Sequence, residues 1–117
     1  MADFRPTISI QVLDLEFGLP AARLPVALFR LEEDGRPELI AEVETDADGW
    51  GRRLMHQELV AGDYQLVFDL AAYAATLDRD ADFFENAAIG IRVDDPARSY
   101  EVSLLLSPFG LSIHRSA

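Results

Sequence analysis

The chain has 117 residues, a formal net charge of −11, no cysteine and no lysine, so that all ten basic residues are arginine. Its length is that of one domain, 1–117. The missing residue types exclude disulfide frameworks, thiolate metal sites, thiol nucleophiles and Schiff-base chemistry.

The negative balance opposes binding to nucleic acid or to anionic membranes. No apolar run approaches the roughly 20 residues of a bilayer span. The two histidines, His56 and His114, are too few for a histidine-built zinc site within one chain. Neither a metal nor a cofactor is therefore expected. The N-terminus shows no signal-peptide pattern and the C-terminus no peroxisomal address, so the cytoplasm is the expected location.

Strand signals recur along the chain at short spacing. Thr7 to Leu13 alternates polar and apolar residues with period two. Asp14 to Arg23, with Gly18 and Pro20, reads as a loop, and Pro25 to Leu31 as an apolar strand. Glu32 to Pro37 is a turn, Leu39 to Glu44 alternates again, and Thr45 to Gly49 is a second turn. Arg53 to Leu59 is a weak strand. After the turn at Val60 to Asp63, Tyr64 to Phe68 is strongly β in composition. Leu70 to Leu77 is alanine-rich and predicts one short helix behind Asp69 as its cap. Ala88 to Val93 and Tyr100 to Leu106 are strands, and Leu111 to Arg115 is the last. Many short strands with one helix predict an all-β sandwich. The sequence ends inside a strand, which raises the expectation that its final residues are used.

Several motifs carry a family resemblance. Val12-Leu13-Asp14 followed by Gly18 and Pro20-Ala21, the strand Pro25 to Leu31, the turn Thr45 to Gly49, the run Gly62 to Asp69 before a helix, and Phe83-Phe84 occur in one order. The block Leu104-Leu105-Leu106-Ser107-Pro108-Phe109-Gly110 is the most specific. Together they resemble the transthyretin/5-hydroxyisourate hydrolase family over about a hundred residues. The resemblance implies a transthyretin-like (prealbumin, Ig-like) sandwich of two four-stranded sheets with one short helix. It also implies a homotetramer, a dimer of dimers, whose central channel holds a small heterocyclic ligand.

The resemblance also locates candidate site residues, and there the chain departs from the hydrolase pattern. Gln11 stands where a histidine precedes Val-Leu-Asp, Trp50 where an arginine follows Asp-Gly, and Glu101 where a second histidine precedes the valine of the penultimate strand. The C-terminal Tyr-Arg-Gly-Ser is replaced by His114-Arg115-Ser116-Ala117, which keeps only Arg115. Glu101, His114 and Gln11 are the candidate catalytic residues; Trp50, Arg115 and Ser107 are the candidate ligand-binding residues. His56 has no motif around it.

Glutamine cannot take a proton, and tryptophan carries no charge. Losing one donor to a developing oxyanion costs about 10²–10³ in rate, and losing acid–base help about 10²–10⁴. The low ends multiply to about 10⁴, so little hydrolysis of 5-hydroxyisourate is expected, and the channel is expected to bind or slowly transform a neutral or cationic ring. Two alternatives stand beside this reading. One is a 5-hydroxyisourate hydrolase of urate catabolism in which Glu101 and His114 replace the missing histidines. The other is a non-catalytic interaction sandwich, since a fold does not fix a function.

Overall fold

The computed structural model describes residues 5–79 and 83–116. Their strands form two sheets that face each other across one core. The first sheet is built on β1 (Ile8–Asp14) and β8 (Tyr100–Ser107), which run parallel, with β9 (Gly110–Arg115) antiparallel on the far side of β8. Two short strands, β2 (Leu19–Pro20) and β5 (Trp50–Gly51), pair with β1 on its other edge. The second sheet runs in the order β4 (Pro37–Glu44), β3 (Pro25–Leu31), β6 (Gly62–Asp69), β7 (Asn86–Val93). The two-residue strands β2 and β5 make the first sheet five-stranded where two sheets of four were expected.

Period-two alternation produces the sandwich directly. In β1 the buried positions are Ile8, Ile10, Val12 and Asp14; in β8 they are Tyr100, Val102, Leu104 and Leu106. The parallel register sets these side by side, Ile10 against Val102 and Val12 against Leu104. Across the core, Val26 and Leu28 of β3 and Tyr64, Leu66 and Phe68 of β6 complete the packing. Each such side chain gives about 1.5–3 kcal/mol on full burial. Since one face of each strand is committed to the core, the opposite face is fixed as well, and a one-residue slip would invert both.

Helix α1 (Leu70–Thr76) begins behind Asp69, whose side chain accepts the N–H of Ala72 at 2.9 Å, as the capping chemistry predicts. The region Arg53 to Leu59 is not a strand. Arg53 has a φ of 53°, which breaks an extended run. Leu54 and Met55 are both buried, which period two forbids. This segment instead follows the edge of β1 through separate bonds, Arg53 N–H to Ser9 Oγ, Leu54 N–H to Ile8 O and Met55 N–H to Thr7 Oγ1.

Candidate functional site

The Thr45–Gly49 turn decides where Trp50 points. Buried Thr45 ties it to the body of the molecule, accepting the N–H of Leu24 at 2.9 Å and donating to Ala21 O at 2.6 Å. Asp46 Oδ1 accepts the N–H groups of Asp48 (2.9 Å) and Trp50 (3.0 Å). Gly49 has a φ of 80° and lies so close to β1 that an added Cβ would meet Val12 O at 2.4 Å. Trp50 then pairs with Gln11 and Gly51 with Ile10. Gly51 faces the core, where a Cβ would meet Ile10 Cδ1 at 3.0 Å, so Trp50 faces outward.

Strand register extends this into a row. Gln11 pairs with Trp50 on one side and Ser103 on the other, and Ser103 pairs with His114. Directly opposite residues project to the same face. Trp50, Gln11, Ser103 and His114 therefore form one line across β5, β1, β8 and β9 on the outer face of the first sheet. Three strand spacings separate its ends, about 14 Å. Ser9 and Glu101 pair one step further along the same face.

Glu101 is engaged by the C-terminal residues. Its Oε2 accepts the hydroxyl of Ser116 at 2.8 Å, and its carbonyl accepts the Ser116 N–H at 2.9 Å. Ser103 Oγ lies 3.2 Å from Ser116 Oγ, so the hydroxyls can point in series from Ser103 through Ser116 to the carboxylate. His114 Nε2 lies 3.2 Å from Ser112 Oγ. Ala117, the last residue of this segment, lies outside the described residues.

Two other sequence candidates, Arg115 and Ser107, stand apart from the row, and so does His56. Arg115 has the opposite parity: it pairs with Val102, a core residue, and its guanidinium lies 5.2 Å from the ring of Tyr100. Ser107 donates to Gly110 O at 3.0 Å across the Pro108–Phe109 turn, a closure of the β8–β9 hairpin. His56 is exposed in the irregular segment after β5. Sequence reasoning missed Ser103 and Arg52. The Arg52 guanidinium lies 4.2 Å from the centroid of Trp50, over the ring whose position had been counted as a lost positive charge.

A second polar cluster sits at the far end of β1. Asp14, only 2% exposed, accepts the Tyr73 hydroxyl at 2.8 Å and the Glu16 N–H at 3.0 Å, with Arg79 at 3.6 Å. Burial, and then the bond to Asp14, push the Tyr73 phenol far above its usual range. This cluster fastens α1 to β1. On the β3–β4 hairpin, a hydrogen bond with Glu32 raises the Glu38 carboxyl. An apolar cleft of about 730 Å³, bordered by Arg5, Pro6, Leu59 and Pro96, opens at the end of the sandwich where β1 and β8 begin.

The model of the HIUase/Transthyretin family matches residues 8–116. The chain belongs to that family. Among its relatives, 5-hydroxyisourate hydrolase 2 of Rhizobium meliloti (strain 1021) is 36% identical over 115 residues, covering 94% of this chain and 95% of that protein. The crystal structure of sea bream transthyretin in complex with thyroxine superposes with a TM-score of 0.86 at 29% identity, over 94% of each chain. The crystal structure of (S)-allantoin synthase superposes with a TM-score of 0.83 at 26% identity; it covers 98% of this chain, which spans only 46% of that one. The HIUase/Transthyretin fold expected from the sequence is thus the fold of the molecule.

Proposed function

We propose that this chain is a hydrolase of the 5-hydroxyisourate type whose site has been rebuilt on the outer face of the first sheet. The observation that carries the reading is the row Trp50, Gln11, Ser103, His114, which gathers an aromatic plane, an amide, a hydroxyl and an imidazole on one solvent-facing surface. Relatives named as 5-hydroxyisourate hydrolases over nearly the whole chain support it.

The chemistry assigns each group a part. His114 takes a proton from a water molecule as the water oxygen attacks a ring carbonyl carbon, because an imidazole both accepts and returns a proton near neutrality. The carbonyl electron pair moves onto its oxygen, which the Gln11 amide stabilises by donation; the Ser103 hydroxyl, its one proton given to Ser116, offers the attacking water an acceptor. Collapse of that intermediate breaks the ring C–N bond, and the imidazolium returns the proton to the leaving nitrogen. Glu101 acts through Ser116 and Ser103 as a positioning residue.

A ring of small-molecule size cannot touch both Trp50 and His114 across about 14 Å. The site is therefore completed by a second copy whose row runs in the opposite sense, bringing its His114 over this chain's Trp50. A homotetramer with a shared channel meets that requirement, and a cytoplasmic step in urate breakdown is the matching role. His114→Asn tests the assignment: the rate of 5-hydroxyisourate decay should fall about 10²–10⁴-fold with thermal stability unchanged. A variant as fast as the parent would remove His114 from the mechanism.

A second reading, binding without turnover, is favoured by one observation. Of the four side chains in the row, only His114 can take up or release a proton, since Gln11, Ser103 and Trp50 do not titrate near neutrality. It predicts a ligand-dependent rise in Tm with no acceleration of decay.

A further inference from the structure

Arg52 follows β5, two residues after Trp50, and its guanidinium lies over the Trp50 ring, which puts it on the outer face with that indole. It is exposed, and its guanidinium stacks on the indole with 4.2 Å between Cζ and the ring centroid. Among the described residues its charge is taken by no ion pair. That is an unusual resting place in a chain with 21 carboxylate residues and a net charge of −11. A guanidinium stacked on an aromatic plane keeps its N–H donors along its edge, in the fork that fits a pair of oxygens or an oxygen beside a ring nitrogen. The stack limits the rotamers of a long side chain, so less freedom is lost when that fork binds.

The neighbouring groups match a planar, negatively charged ring. Gln11 stands directly opposite Trp50, with about 5 Å between the two Cβ atoms. Ser9, one step along β1, pairs with Glu101 on β8. The Glu101 carboxylate on this face is bonded to Ser116, and the Asp46 carboxylate is held by the N–H groups of Asp48 and Trp50.

We infer that Arg52 is the specificity-determining residue of the outer face: its guanidinium edge selects a planar heterocycle carrying negative charge, which lies beside the Trp50 indole. The inference rests on the outer face being the ligand surface proposed above. It departs from the sequence argument, in which a neutral or cationic ring was expected at Trp50.

Isothermal titration of the full chain with urate, a planar anion, and caffeine, a neutral ring of similar size, tests it. The parent should bind urate more tightly than caffeine. Arg52→Gln should weaken urate at least about tenfold and leave caffeine unchanged, and Arg52→Lys should recover part of the loss, because a point charge replaces the fork. Equal urate affinity in the parent and Arg52→Gln, or an absence of urate binding by the parent, would overturn the inference. The hydrolysis assay is read separately. Arg52-dependent urate binding without hydrolysis would leave the inference standing and remove the hydrolase reading. Hydrolysis with urate affinity indifferent to Arg52 would do the reverse.

Discussion

Replacing Tyr73 with phenylalanine removes one hydroxyl and leaves the ring in place. The hydroxyl donates at 2.8 Å to Asp14, and the two residues are 4% and 2% exposed. A hydrogen bond to a charged group contributes about 1.5–3 kcal/mol, and Asp14 keeps the Glu16 N–H and Arg79. The expected loss is therefore about 2 kcal/mol at pH 8, or roughly 8 °C in Tm for a chain of this size. The pH dependence is the sharper part. The folded phenol holds its proton above the range in which a free tyrosine releases it, so the contribution is complete below about pH 10 and fades as pH rises further. Each pH unit above 10 lowers the parent's advantage by about 1.4 kcal/mol, leaving roughly 0.6 kcal/mol at pH 11. Urea unfolding of parent and Tyr73→Phe at pH 8 and pH 11 measures this, with Tyr64 and Tyr100 cancelling in the difference. A gap that is equal at the two pH values, or that widens, would refute the reasoning.

Gly49→Ala should cost more than about 2 kcal/mol, from a left-handed backbone and a Cβ placed 2.4 Å from Val12 O. The near-ultraviolet circular dichroism of Trp50, the chain's one tryptophan, should change with it; an unchanged spectrum at parental Tm would show that the turn does not set Trp50. Glu101→Gln keeps an acceptor for Ser116, so turnover should fall by less than about tenfold, whereas a loss of 10²-fold or more would make the carboxylate a base.

The sequence carried the strands whose alternation is enforced by burial. Ile8, Ile10 and Val12, then Tyr100, Val102 and Leu104, declare one inward face each. The helix behind Asp69 and the turn before Trp50 were legible from local hydrogen-bonding chemistry. β5 was not, because two residues make no periodic signal and the buried pair Leu54–Met55 imitates a strand core. The outer row was hidden for a different reason. Gln11, Trp50, Ser103 and His114 are far apart in sequence, and only pairing register brings them into line. Ser103 was nonetheless within reach: it lies two residues from Glu101 on β8, and period two places it on that candidate's face. Arg52 lies beyond the two-residue β5, where no period reaches it. Arg115 shows the converse, since one step of parity separates it from His114 and turns it toward Tyr100.

The most direct measurement is the decay of freshly generated 5-hydroxyisourate with purified parent protein, set against the spontaneous rate. The expected decay is faster than spontaneous, saturates with substrate and is lost in His114→Asn. Decay at the spontaneous rate, whatever the protein concentration, would contradict it.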